Sequence, residues 1–327
     1  MIVNVCCSGS SGSTLLSTLL NRHDDIFSGE ELGVFSKPIF YEKFNLVKRL
    51  SFFISRYGIS SSPYFADRSI LRNLTEYGLD KKDIWSILRS SDGFVEFVGN
   101  FKKNILKNNE RVWVEKTPEN IFLLKYFLES FPESKVIHII RDPRDVILSL
   151  MNRGLDKLLA TEVWLSSVAS IQPFLDKKNV YEIKYEELVL EPVQALNKLC
   201  EFIGVPYQSA MISGDTNKNR SYFNTWQNRP DGQVSTSSVE KFRKSKVKFD
   251  EVYSMKITSQ FAQLQGTEEF YLIDLMKKYN YDVSDIKFDC YKQKRKRLLS
   301  PHKLQGLKGK CIDLVAGYNY SYARVEM

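Results

Sequence analysis

The chain has 327 residues, of which 43% are hydrophobic and 26% charged, with a formal net charge of +8. That balance belongs to a folded globular protein with an ample core and excludes a collagen-like, low-complexity or disordered chain. No run of about 18 apolar residues occurs, which argues against a membrane-spanning helix, and the positive charge suits an anionic ligand without choosing among nucleotide, nucleic acid and acidic glycan.

In chain order, residues 2–7 read as a buried strand, 8–13 as a Gly/Ser-rich turn and 14–21 as an amphipathic helix. Residues 40–108 carry helical periodicity in pieces, broken at 58–63 and at Gly78. A short strand is expected at 112–115, and a helix at 119–130 that Pro118 opens. An uninterrupted apolar strand follows at 135–140, with a helix over 142–151 behind it. A long amphipathic helix is expected at 157–175, a strand at 179–184, and a helix at 192–203 that Gly204 ends. After residue 210 the pattern loosens into a polar stretch, followed by a helix at 266–279 and a tail with no assignment. Strands alternating with helices of this length point to an α/β fold around a parallel sheet.

The tail carries a basic run of Lys292, Lys294, Arg295, Lys296 and Arg297, then Lys303, Lys308 and Lys310. It reads as a solvated basic segment, or as a contact for a membrane surface or polyanion. The five cysteines follow neither metal-site nor disulfide spacing, and Cys6 and Cys7 read as small buried hydrophobes. With an opening stretch that lacks a basic n-region, they lead to the expectation of a reducing, cytoplasmic setting.

Two segments carry chemistry. The first is Ser8-Gly9-Ser10-Ser11-Gly12-Ser13-Thr14 between the first strand and first helix. Glycines let successive N–H groups converge there, and a helix N-terminus and hydroxyls add donors, which makes a cradle for phosphate or a similar anion. It is not the nucleotide-hydrolase loop, because no lysine follows Gly12. The second is Ile140-Arg141-Asp142-Pro143-Arg144-Asp145, where Arg141 falls at the end of an apolar strand and Asp142 and Pro143 open a helix. Ser149 lies two helical turns on, and an arginine fork with a serine hydroxyl suits a phosphate dianion. His138, mid-strand, reads as a satisfied core residue.

Together these segments resemble the sulfotransferase superfamily, with closest motif likeness to the tyrosylprotein and carbohydrate sulfotransferases. Arg141 and Ser149 match the family's phosphate-binding pair residue for residue. Arg22-His23-Asp24-Asp25-Ile26-Phe27-Ser28-Gly29-Glu30-Glu31 resembles the tyrosylprotein enzymes' Gly-Glu-Glu segment, and Glu115-Lys116-Thr117-Pro118 the segment whose lysine touches the transferring group. Arg153, the Tyr185-Glu186-Glu187-Leu188 stretch leading to Pro192, and Ser235-Thr236-Ser237-Ser238 before Lys241 extend the likeness over about residues 1–245.

The resemblance implies a P-loop-like three-layer fold, with a central parallel sheet flanked by helices. It implies one sulfotransferase domain over 1–285, with residues 40–108 as a helical insertion on the acceptor side, and a basic tail over 286–327. It further implies the donor 3′-phosphoadenosine 5′-phosphosulfate (PAPS), with no metal. Its 5′-phosphosulfate would lie on Ser10, Ser11, Gly12, Ser13 and Thr14, and its 3′-phosphate on Arg141, Ser149 and Arg153. Tyr185 and Ser235 would complete the cofactor site. Glu31 would be the general base, with Glu30 as the alternative, and Lys116 would stabilise the bridging oxygen. Ser10 departs from the family pattern, which has Arg or Lys there, so Lys116 or a basic side chain from elsewhere takes on more of the neutralisation. The acceptor would be a hydroxyl of a glycan, lipid, small metabolite or tyrosine, and no nucleic acid partner is implied. A non-catalytic binding protein of the same fold and a P-loop kinase are the competing readings.

Overall fold

A computed structural model describes residues 1–56, 77–106, 110–214, 234–284, 286 and 325–326 of the chain. In chain order the elements are β1 (Ile2–Cys7), α1 (Ser13–Asn21), β2 (Ile26–Ser28), α2 (Pro38–Arg56), α3 (Lys81–Arg89), α4 (Phe94–Ile105), β3 (Val112–Lys116) and α5 (Leu124–Ser130). Then come β4 (Lys135–Ile140), α6 (Pro143–Met151), α7 (Lys157–Ile171), β5 (Val180–Lys184), α8 (Tyr185–Leu190), α9 (Pro192–Ile203) and α10 (Ala210–Ser213). The last are β6 (Lys256–Ile257), α11 (Ser259–Gln265), α12 (Leu272–Lys278) and β7 (Val325–Glu326). They fall into two compact units, Met1–Arg141 with Phe174–Ser237, and Asp142–Pro173 with Ser238–Met327. No helix among the described residues is long and apolar enough to cross a membrane.

The first unit holds a five-stranded sheet in the order β2-β3-β1-β4-β5, with helices flanking it. Every neighbouring pair is parallel. β1 is buried along its whole length, as its unbroken apolar run requires of a central strand. The chain leaves β1 toward β2 and β3 on one side, and β4 has β5 on the other. The carboxyl ends of β1 and β4 therefore flank the switch point of the sheet, where open α/β folds bind their ligands. β2 was not legible in the sequence, since it has three residues only and is recognised by its pairing, Phe27 opposite Trp113.

An aromatic cluster packs near β3. The Phe35 ring lies 5.8 Å from Trp113, 4.8 Å from Phe127, 5.5 Å from Phe131 and 6.3 Å from Phe94. Phe35 and Trp113 are both fully buried. Residues 118–130 do not form one helix as expected: a 3-10 turn, Pro118–Leu123, precedes α5. The Asn120 side chain is drawn inward there to Asn4 and Glu115, and its main-chain N–H donates to Thr117 O at 3.1 Å.

The second unit contains α6, α7, α11 and α12 with the antiparallel pair β6–β7. The sequence pattern of α7 reads as amphipathic, but the helix is buried on nearly every side from Ala160 onward. Thr161, Ser166, Ser167 and Ser170 mimic a solvent face, yet each hydroxyl donates to a carbonyl one turn earlier, at 2.6–2.8 Å. That satisfies the hydroxyls without water. α7 ends at Ile171 and a 3-10 turn, Gln172–Phe174, follows with Pro173 at its centre. The helix expected at 266–279 begins only at Leu272, because Gly266 sits at φ +64° and caps α11 instead. At the start of α6, Asp142 caps the helix and takes a two-point grip from the Arg144 guanidinium, at 2.9 and 2.6 Å. Arg144 also lies 3.8 Å over the Phe242 ring, and Phe242 N–H donates to Asp145 Oδ1 at 3.0 Å.

Phe35→Ala should cost about 3–5 kcal/mol of stability, as for other large core rings cut to a methyl. Denaturant unfolding would measure it, and a loss below about 1 kcal/mol would mean the aromatic cluster is not a centre of the core.

Candidate active site

The turn that leaves β1 is held tightly. Ser8 and Ser11 hydroxyls lie 2.6 Å apart, and Ser11 N–H donates to Ser8 O at 3.3 Å. Ser10 has φ +68° and Gly12 φ +101°, both in the left-handed region. Such alternation turns neighbouring N–H groups toward one side and makes an anion-binding concavity. Gly12 stands at the N-cap of α1, and no side chain caps the helix. The first N–H groups of α1, at Ser13 and Thr14, are thereby left for an anion.

Gly12 is required for a second reason. A Cβ there would collide with the Tyr185 ring, reaching Cε2 at 2.8 Å. The Arg141 guanidinium covers the same ring at 4.5 Å, and its Nη1 donates to Ser10 O at 3.2 Å. Arg141 and Tyr185 are both buried. Residues predicted as two sites, the loop and Arg141, thus meet at the switch point, with Tyr185 as the filling.

The second cluster stands at the end of β3. Lys116 lies opposite Val5 in the register, two residues before β1 runs into its loop. Its ammonium donates to Glu31 Oε1 at 2.6 Å, with the Lys116 side chain 3% exposed and that of Glu31 43% exposed. The amine is inside while the carboxylate is partly exposed. Cys7, at the end of β1, is pushed up to about 12 by burial, against the pull of a Ser13 hydrogen bond and the Lys116 charge. Burial thus disfavours the thiolate form that a nucleophile needs.

The segment that carries Glu31 is gripped on both sides. Gly29 lies against Tyr77, where a Cβ would meet Cε2 and Oη of that ring at 2.7 Å. Tyr77 O–H donates to Glu30 O at 2.6 Å, which turns the Glu30 carbonyl onto the core. Leu32 and Gly33 N–H groups donate to the buried carboxylate of Glu115 at 3.1 and 3.3 Å. Burial raises the Glu115 pKa, and hydrogen bonds from Thr117, Asn120, Leu32 and Gly33 hold it back.

Sequence reasoning missed Tyr77 and Asn120, and it quoted Gly29 and Glu115 within the motif segments without giving either a role. One signal was available, since Glu115 is a carboxylate inside the otherwise apolar strand start Val112-Trp113-Val114. Of the other predicted residues, Ser149 is half-buried on α6 and Arg153 exposed just past its end, both in the second unit. Ser235, half-buried in the first unit, bonds to the Ser237 hydroxyl at 2.9 Å. His138 is buried with Nδ1 2.7 Å from Glu182 Oε2, as befits a core residue, while its Nε2 has no hydrogen-bond partner among the described residues. His23 is structural as well: Asp25 N–H donates to Nδ1 at 3.0 Å, so Nε2–H donates to Pro206 O at 2.7 Å. Among the described residues no group of three or more His, Cys, Asp or Glu could hold a metal ion.

Gly12→Ala should destabilise the protein by about 2–4 kcal/mol, from a left-handed backbone penalty and an overpacked ring. Ser10→Gly should be neutral or stabilise by up to about 1 kcal/mol, because only the backbone conformation changes in its favour. Thermal unfolding separates the two, and equal stability of Gly12→Ala and the parent would refute the ring contact.

Comparison with known proteins agrees with this architecture. A family model described as the sulfotransferase family matches residues 3–209. The omega-hydroxy-beta-dihydromenaquinone-9 sulfotransferase of Mycobacterium tuberculosis is 28% identical over 123 residues, 32% of this chain and 32% of its own. The protein-tyrosine sulfotransferase of Drosophila melanogaster is 24% identical over 248 residues, 71% of this chain and 41% of its own. The matched part is thus well under half the length of either relative. In fold, the chain is similar to the sulfotransferase domain of the Synechococcus PCC 7002 olefin synthase, with a TM-score of 0.61 and 18% identity. That likeness covers 86% of this chain and 95% of that domain. With more than half its length matched by the family model, the chain belongs to the sulfotransferase family.

Proposed function

We propose that the protein transfers a sulfuryl group from PAPS to an acceptor hydroxyl by in-line displacement. The observation that carries this reading is the Lys116–Glu31 pair, a buried ammonium 2.6 Å from an open carboxylate, in the unit that also holds an uncapped glycine-rich turn. When bound, PAPS supplies a sulfuryl group attached to a phosphate that leaves readily.

The residues fit such a donor. The left-handed pair Ser10 and Gly12 and the uncapped start of α1 suit a phosphosulfate, with Ser10, Ser11, Gly12, Ser13 and Thr14 around it. Arg141 donates to the Ser10 carbonyl, which ties the proposed 3′-phosphate site to the loop, and the duty of the Arg or Lys missing from that loop falls to Lys116. For the 3′-phosphate we assign Arg141, joined on the sequence motif alone by Ser149 and Arg153. Tyr185 orders Arg141, and Ser235 belongs to the cofactor site on the motif alone. Lys116 neutralises charge on the bridging oxygen, and Glu31 accepts the proton of the acceptor hydroxyl. The main chain of Glu30 is tied to Tyr77, which favours Glu31 over its neighbour as the base. No metal is needed in this scheme.

For the acceptor we propose a lipid, tyrosine, glycan or small-metabolite hydroxyl. The relatives' names, a hydroxy-dihydromenaquinone and a protein-tyrosine sulfotransferase, support the first two. A cytoplasmic setting is supported by Cys6, Cys7 and Cys200, which are free, buried thiols among the described residues. One catalytic domain over 1–285 remains the proposed organisation. The basic run from Lys292 to Lys310, proposed to touch a membrane surface or polyanion, lies outside the described residues.

Adenosine 3′,5′-bisphosphate should bind with micromolar affinity in calorimetry, and 5′-AMP far more weakly. Equal binding of the two would remove the 3′-phosphate site. Arg141→Ala should weaken that binding by about tenfold or more, the loss of one charge-assisted contact. Glu31→Gln should lower turnover by about 10²–10⁴-fold with nucleotide affinity retained, the usual span for a lost general base. Near-normal turnover in that variant would reject Glu31 as the base.

A further inference from the structure

We infer that Glu115 is a positioning residue for Glu31, holding the catalytic segment by its main chain so that the Glu31 carboxylate meets Lys116. This rests on the reading of Glu31 as the base. Glu115 and Lys116 are neighbours in β3, so their side chains leave the strand on opposite faces. Glu115 Oε1 accepts from Leu32 N–H at 3.1 Å, Gly33 N–H at 3.3 Å and Thr117 O–H at 2.6 Å. Oε2 accepts from Asn120 Nδ2–H. Gly33 N–H also reaches Thr117 Oγ1, at 3.0 Å.

Glu115 is fully buried, and a carboxylate in that setting is expensive unless its lone pairs are filled. An apolar residue would serve packing alone. What the carboxylate adds is an acceptor for two consecutive amides immediately after Glu31. Tyr77 holds the chain just before Glu31, through Gly29 and the Glu30 carbonyl, and Phe35 is buried in the aromatic cluster just after. The backbone is therefore fixed on both sides of Glu31, with its side chain presented to Lys116. Removal of the clamp should loosen that geometry rather than the cradle for the nucleotide.

The variant E115Q keeps the shape and should fold. Asn120 Oδ1 and Asn4 Nδ2 are buried without hydrogen-bond partners among the described residues. If both amides flip, Asn120 can accept from the introduced amide and still bond to Asn4. The clamp then has a neutral, weaker acceptor for Leu32 and Gly33.

The test measures transfer from PAPS to a panel of 2-naphthol, an acidic tyrosine peptide and a long-chain alcohol, with calorimetry of adenosine 3′,5′-bisphosphate alongside. E115Q should lower kcat on the order of 10–100-fold, the effect of a small misplacement of a reacting group. Nucleotide affinity should stay within about twofold, because the group lost touches Leu32 and Gly33 and not the nucleotide loop. The double variant E31Q/E115Q should be no slower than E31Q, since a residue acting through Glu31 has nothing further to remove. Amide hydrogen exchange at Leu32 and Gly33 should quicken. Normal kcat, a parallel loss of nucleotide affinity, or losses that multiply in the double variant would each overturn the assignment. Should E115Q fail to fold, T117V removes one member of the same clamp and must show the same kcat loss in smaller degree; unchanged turnover there overturns it equally. A parent protein that binds nucleotide yet transfers to no acceptor would end the sulfotransfer reading, and the exchange rates of Leu32 and Gly33 would still decide the clamp.

Discussion

A lysine ammonium almost fully out of water, at the carboxyl end of β3, is the constraint from which the rest of the site follows. Taking such a charge from water costs several kcal/mol, and only a close anion with good geometry offsets it. Glu31 supplies that anion at 2.6 Å, but from a segment between β2 and α2 that has no regular structure of its own around that residue. The segment must be held from outside. Tyr77, Glu115 and Phe35 do so from three directions, and each is buried. The price is a second buried charge, Glu115, whose oxygens are filled by two main-chain amides, Thr117 and Asn120.

The glycine-rich loop and the Glu31 segment reach rigidity by the same device. In each, a glycine without a Cβ lets a tyrosine ring lie flush against the chain, Tyr185 on Gly12 and Tyr77 on Gly29. An aromatic ring gives a large, stiff contact at little entropic cost, and its polar edge remains available. Tyr185 is further covered by Arg141, while Tyr77 packs on Phe27 at 5.4 Å and Phe101 at 5.9 Å. Donors and bases held this way would lower a barrier, because they need not be assembled during a reaction.

The fold was legible where periodicity was strong. The apolar runs at β1 and β4 and the helix stop at Gly204 stand where the pattern put them. β2 escaped notice because three residues show no period, and α7 misled because its serines bond to their own backbone rather than to water. The glycine-rich turn and Arg141 stand out in the residues themselves, whereas Lys116 and Glu31 were named only through the family resemblance; the structure sets those two 2.6 Å apart. Tyr77 and Asn120 were not legible, and Glu115 showed only as a carboxylate in an apolar strand, because the contacts that fix their roles include partners 47 to 116 positions away. Tertiary hydrogen bonds of that reach leave no periodic trace.

Whether this arrangement moves a sulfuryl group, and does not merely bind a nucleotide, is decided by its products. The most direct measurement is to incubate the purified protein with PAPS carrying ³⁵S and a set of phenolic, aliphatic and sugar hydroxyl acceptors, in the presence of a metal chelator. Label should appear on at least one hydroxyl, with equimolar release of adenosine 3′,5′-bisphosphate and no dependence on divalent metal. Tight nucleotide binding with no labelled product, or transfer that stops when metal is chelated, would contradict the proposed reaction.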